Sequence, residues 1–275
     1  MLVRILSGIV LMVLALIFLL AGGWPLAAVI LAISLVAFRE LMHACRAEKD
    51  GKPGLLEYAG YAGIALYDLV LFGTKDFFLA LGCLVLLFMV EMGIYVFTFP
   101  RYHALQVMPA FFCAFYAAVP FGFVWMTRDL THGIYLVWLI FISSWVCDTC
   151  AYFSGMALGK HKLAPVLSPK KSVEGAVGGV IGSAVVGALF AWIFLVPLSG
   201  EINYIWLVAI IGGVGAVISQ IGDLSASAIK RNHEIKDYGK LIPGHGGIMD
   251  RFDSVLFTAP IIYYLCVLLL QVGHG

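Results

Sequence analysis

Nine apolar runs, at 5–20, 26–41, 55–72, 77–97, 105–126, 133–158, 175–196, 204–229 and 252–270, fill about two-thirds of this 275-residue sequence. A membrane-spanning helix needs about 20 mostly apolar residues, and most of these runs reach or approach that length. The first two are short and read as a tight pair around Gly22-Gly23-Trp24-Pro25. Turn chemistry recurs at Gly51-Lys52-Pro53-Gly54 and Pro197-Leu198-Ser199-Gly200. Hydrophobic residues make up 62% of the chain and charged residues 12%, against roughly 45–50% and about 25% in soluble domains. A water-soluble fold cannot hide so much apolar surface, so lipid must be the solvent for most of it. The expected architecture is all-α and polytopic, with about nine transmembrane helices. Residues 1–130 would supply five N-terminal spans. Residues 131–275 would form a C-terminal half with long loops at 159–175 and 230–253, the half that carries the candidate site set out below.

The basic residues fix an orientation. Arg4, Arg39, Arg46, Lys49, Lys52, Arg101, Lys160, Lys162, Lys170, Lys171, Lys230, Arg231, Lys236, Lys240 and Arg251 fall on one side of a nine-span chain, and only Lys75 and Arg128 on the other. Cytoplasmic loops carry such an excess. The N-terminus and both long loops are therefore expected in the cytoplasm, the C-terminus outside, and the protein in the plasma membrane. Arg4 before an apolar run also suits a secretory signal, but the closely following second run favours a span. The six cysteines lie mostly inside apolar runs and form neither a disulfide framework nor a zinc knuckle. Cys147 and Cys150 form a C-x-x-C within a span, without the strand–helix setting of a redox motif.

Ionisable groups in hydrocarbon are costly and point to function. Asp148 lies toward the cytoplasmic end of the sixth run and Asp223 toward that of the eighth, while Asp250 and Asp253 open the ninth from the same side. Each alone could cap a helix or pair with a lysine. Four at one depth, beside the two most basic loops, form a candidate site. Asp68 and Glu91 sit mid-span without polar neighbours, where a helix-to-helix hydrogen bond is expected. Ser168-Pro169-Lys170-Lys171-Ser172 offers hydroxyls and ammonium groups just before a helix start, where backbone N–H groups attract phosphate. The bland alternative is a basic loop on anionic head groups. The 230–253 loop adds Gly244, Gly246 and Gly247 around His245, then Asp250-Arg251-Phe252-Asp253. Carboxylates, Lys and Arg around a glycine-rich turn suit Mg²⁺–triphosphate chemistry.

Ser227-x-x-Lys230-Arg231, then Lys236-Asp237, then Pro243-x-His245-Gly246-Gly247-x-x-Asp250-Arg251-x-Asp253 closely resembles the signature of the phosphatidate cytidylyltransferases, or CDP-diacylglycerol synthases. Asp148, Tyr152, Gly155, Gly159-Lys160 and Ser168-Pro169-Lys170-Lys171-Ser172-x-Glu174-Gly175 also look like that family. One departure is Val173, where many members carry an aromatic residue, usually Trp. The resemblance implies cytidylyl transfer from CTP to phosphatidic acid, with Mg²⁺ and room for a second cation, and a homodimer. It implies Asp223 and Asp250 as first metal ligands, then Asp253 and Asp148, with Lys230 and Arg251 also catalytic. Ser168, Lys170, Lys171, Arg231, Lys236, His245, Gly246 and Gly247 would hold substrate phosphates. Asp237 is open between bracing the loop and touching substrate, and His245 between fixing the turn and touching it. No nucleic-acid partner is expected. A CTP-dependent polyprenol kinase would not share the full signature. A CDP-alcohol phosphotransferase needs an Asp array that is missing. A transporter would place its polar groups near the midplane.

Overall fold

The computed structural model describes residues 2–46, 53–242, 244 and 246–273, and it is helical almost throughout. The helices are α1 (Leu2–Ala21), α2 (Gly23–Ala44), α3 (Leu55–Thr74), α4 (Phe77–Phe97), α5 (Ala104–Asp129), α6 (Gly133–Leu158), α7 (Val173–Ser199), α8 (Tyr204–Asn232) and α9 (Met249–Leu269). Among the described residues, eight of these are long and apolar enough to cross a membrane. The remaining one, α1, runs for 20 residues and is apolar over Met12–Ala21. The expected all-α polytopic class is what the chain adopts. Pro109 and Pro120 lie inside α5 and Pro260 inside α9; neighbouring helices and local adjustments make such prolines tolerable in lipid.

The helix ends follow local chemistry. Gly22 and Gly23 turn the chain between α1 and α2 with φ of 62° and 49°, a region that glycine enters without steric cost. Asp76 accepts the N–H of Leu79 at 3.0 Å and caps α4, and Ser172 accepts that of Gly175 at 3.2 Å and caps α7. Between α6 and α7 the basic loop folds into an antiparallel hairpin, β1 (Lys162–Ala164) and β2 (Ser168–Ser172), pairing Lys162 with Ser172 and Ala164 with Ser168.

The chain divides into two compact units. Residues 1–125 and 232–252 form the first. Here Gly60 meets the ring of Phe38 and Gly63 meets Leu87, so α3 packs closely on α2 and α4. Asp68 and Glu91 are 0% and 1% exposed, and none of their four carboxylate oxygens has a hydrogen-bond partner among the described residues. The helix-to-helix hydrogen bonds expected for them are not formed. Register explains why they do not meet each other. Gly63 against Leu87 sets Asp68 opposite residue 82, about nine residues and roughly 13 Å along the helix from Glu91.

Residues 126–231 and 253–275 form the second unit. Gly175, Gly179, Ser183 and Gly187 recur every fourth residue along the buried face of α7. A Cβ at Gly179 would lie 2.9 Å from the carbonyl oxygen and from Sγ of Cys147 on α6, and one at Gly187 would lie 3.1 Å from the carbonyl of Val208 on α8. Small residues at this spacing let transmembrane backbones approach. Cys147 and Cys150 serve this packing as free thiols, Cys150 lying against Gly182.

Candidate active site

Three of the four acidic residues gather in the second unit. Asp148 comes two residues after a π-helical turn, Ile142–Val146, in α6; such turns recur at functional sites. Asp223 comes from α8. Its neighbour Gly222 lies so close to α9 that a Cβ would sit 2.9 Å from the carbonyl oxygen of Asp253 and 2.9 Å from Cβ of Phe257. That contact brings Asp253 within electrostatic range of Asp223, Lys230 and Asp148. Like-charged carboxylates so placed repel one another unless a cation intervenes. Lys171 on β2 supplies one positive charge: its Nζ donates to Oδ2 of Asp223, both side chains being 27% exposed.

A cavity of about 430 Å³ opens beside this group, with Asp148, Lys170, Lys171, Gln220 and Asp223 among its lining residues. Gly155, Gly175 and Ala176 leave the space empty, while Tyr152, Met156 and Leu163 give one wall an apolar surface. Gln220 is anchored by donating its Nε2 to the carbonyl of Ala176 at 3.1 Å. Glu174 holds the hairpin's entry: it accepts the N–H of Lys160 at 3.0 Å and contacts Nδ1 of His161 at 2.6 Å. Ser168 sits at the far end of β2 opposite Ala164, so the strand gives the cavity Lys170, Lys171 and Ser172 instead.

Asp250 belongs to the other unit, in the 232–252 segment. Its Oδ2 accepts the N–H groups of Tyr238 at 2.8 Å and Gly247 at 3.0 Å, which folds the loop back on the start of α9. Gly244 and Gly246 have φ of 78° and 87°, and Ile242 N–H bonds the Gly246 carbonyl at 2.8 Å to close the turn. Glycine is needed at both positions because other residues rarely adopt such φ. Lys236, Asp237 and Arg251 are exposed along this segment, and Arg231, at the end of the second unit's α8, is exposed too. His245 lies outside the described residues. One participant escaped the sequence reading altogether. Glu40 on α2 accepts the N–H of Ile248 at 3.0 Å and of Met249 at 2.9 Å. Treating every carboxylate inside an apolar run as a candidate would have found it.

Among the described residues, no three His, Cys, Asp or Glu side chains are grouped closely enough to cage a metal ion by themselves. The donors are nevertheless hard carboxylate oxygens, and Mg²⁺ characteristically takes one or two of these together with water and substrate phosphates. One or two carboxylates from among Asp148, Asp223 and Asp253 fit such a cation only where water and substrate oxygens complete its shell.

The model of the cytidylyltransferase family matches residues 2–269. Among similar proteins, the phosphatidate cytidylyltransferase of Staphylococcus saprophyticus is 35% identical over 267 residues, covering 96% of this chain and 98% of that protein. The phosphatidate cytidylyltransferase of Bacillus subtilis is 33% identical over 280 residues, with 96% and 97% covered. That of Staphylococcus haemolyticus is 33% identical over 266 residues, with 96% and 98% covered.

Proposed function

This chain belongs to the cytidylyltransferase family, and on that premise we propose that it transfers the cytidylyl group of CTP to phosphatidic acid, forming CDP-diacylglycerol and pyrophosphate. The observation that carries the reading is the acidic cluster with Lys171 at the cavity wall, in a chain that similar phosphatidate cytidylyltransferases match over nearly their whole length. In the reaction an oxygen of the lipid phosphate bonds to the α-phosphorus of CTP. The bond from that phosphorus to the bridging oxygen breaks, and pyrophosphate leaves. The nucleophile is already ionised, so no strong general base is required. The task is to bring two polyanions together.

Lys170 and Lys171 offer phosphate-binding ammonium groups at the cavity. Lys230, Arg231, Lys236 and Arg251 add positive charge, and Gly246 and Gly247 let backbone approach the triphosphate. A bound Mg²⁺, held by Asp223 and Asp250 with Asp253 and Asp148 in support, would neutralise charge on the transferring phosphoryl group. A second cation has room in the same scheme. The apolar wall of Tyr152, Met156 and Leu163 suits the diacylglycerol end of the lipid substrate. The placement of the basic loops supports a plasma-membrane enzyme whose site faces the cytoplasm. Assembly as a homodimer belongs to the same reading and rests on the family resemblance.

Purified protein in mixed micelles, supplied with CTP, phosphatidic acid and Mg²⁺, should release pyrophosphate only when both substrates are present. A folded preparation that releases none would end the proposal. Within that assay, changing Lys170 and Lys171 together to Ala should lower turnover about 100-fold, because charge-assisted bonds to phosphate are lost where negative charge is greatest. The folded yield in detergent should be unchanged. Full activity in the double variant would return this loop to a role on lipid head groups.

A further inference from the structure

Glu40 lies on α2, far in sequence from every motif behind the functional reading, and is only 8% exposed. Its two oxygens divide their work, Oε1 accepting from Ile248 and Oε2 from Met249. These N–H groups open α9 and have no partner within the helix, and a negative charge there also suits the helix dipole. The loop closes tightly over the carboxylate. A Cβ at Gly239 or at Gly247 would lie 2.3 Å from Oε1 of Glu40. Neither glycine has the positive φ seen at Gly244 and Gly246. At Gly239 and Gly247, space rather than backbone conformation excludes a side chain. A glycine-rich turn thus contains two glycines set by φ and two set by a carboxylate from a distant helix.

We propose that Glu40 is a positioning residue for cytidylyl transfer: it fixes the 232–252 loop, and with it Lys236 and Arg251, in the arrangement that receives the CTP triphosphate. The proposal rests on the cytidylyltransferase reading above. Asp250 pulls Tyr238 and Gly247 together from within the loop, and Glu40 ties the next two amides to α2. Four successive residues from Gly247 to Asp250 are thereby held at the junction of loop and helix. Both Glu40 oxygens are engaged with N–H groups, so the carboxylate orders the loop while presenting little free negative charge to a polyanion.

Two substitutions test this from opposite sides. Glu40→Gln keeps the shape, but its amide offers one acceptor and one donor to two N–H groups. Gly239→Ala pushes a methyl group against Oε1 without touching a basic residue. Each should raise the KM for CTP about ten-fold, on the scale of a lost bond to a charged group, with kcat falling less than KM rises. A purely structural role would lower the yield or melting temperature of folded protein and leave KM alone. The double variant Glu40→Ala with Gly239→Ala should be no worse than Glu40→Ala by itself, since the methyl group then has room; coupling of this kind marks residues in contact. If Glu40→Gln yields no folded protein, Gly239→Ala decides alone. An unchanged KM for CTP in folded protein, or losses that multiply in the double variant, overturns the proposal. A wild-type protein inactive on CTP and phosphatidic acid would instead overturn the functional reading, so the two failures are distinguishable.

Discussion

Asp223→Asn should lower cytidylyl transfer by about 10²–10³-fold, or roughly 3–4 kcal/mol of lost transition-state stabilisation, with folded protein recovered in normal amounts. The substitution keeps the side chain's size on α8 and removes its charge. The close approach of α8 to α9 is made by Gly222 against Asp253 and Phe257, not by the Asp223 side chain. What changes is the electrostatics. In the structure Asp223 pairs with Lys171 and lies within range of Asp253. Lys171 is then one cation shared by an acidic group that exceeds it. In the proposed reaction Lys171 would serve phosphate and Asp223 would help hold Mg²⁺, whose chemistry is to neutralise charge on the transferring group. An Asn can accept a hydrogen bond from Lys171 but cannot hold a divalent cation with comparable strength. The measurement is kcat at saturating CTP and phosphatidic acid, repeated across a Mg²⁺ titration. Near-normal turnover at ordinary Mg²⁺ would remove Asp223 from the site.

The parts of this molecule legible in its sequence are those governed by local or one-dimensional rules. The apolar runs at 77–97 and 133–158 coincide with α4 and α6, because the thickness of a bilayer sets helix length and Asp76 and Gly159 punctuate the ends. Asp148, Asp223, Asp250 and Asp253 stand out in the sequence because charge in or beside an apolar run is rare enough to signal function, but that rule does not reveal that Asp250 belongs to the other unit. The less legible parts depend on contacts between distant segments. The lysine that pairs with Asp223 lies 52 residues away, on a two-stranded hairpin too short to carry a period-2 pattern. Glu40 meets its partners across 208 residues, and no spacing rule reaches that far. Asp68 and Glu91 show the opposite error. Mid-span carboxylates suggested a bond between helices, but the register of α3 against α4 offsets them along the axis.

Asp250 calls for two substitutions, because the structure gives it a role besides the proposed one. Its Oδ2 already accepts two backbone N–H groups, from Tyr238 and Gly247, so it braces the loop whether or not it binds metal. Asp250→Asn can keep that brace, since the amide oxygen can face both N–H groups. Asp250→Ala cannot, and leaves both donors without this acceptor, at about 1–3 kcal/mol for each one that water does not reach. If Asp250 also holds a cation with Asp223, the Asn variant should lose activity about 10²–10³-fold with an unchanged melting temperature in detergent. The Ala variant should lose at least as much and melt several degrees lower. If Asp250 is a brace alone, the Asn variant should turn over CTP nearly as well as wild type, and only the Ala variant should fail. Metal dependence separates the cases further. A ligand lost to Asn should raise the Mg²⁺ concentration needed for half-maximal rate, whereas a lost brace should raise the KM for CTP at fixed Mg²⁺. The position of Asp253, three residues on and therefore on a neighbouring face of the same helix, makes a partial rescue at high Mg²⁺ the expected behaviour of the Asn variant. Activity that stays flat across the titration would place Asp250 outside the metal site.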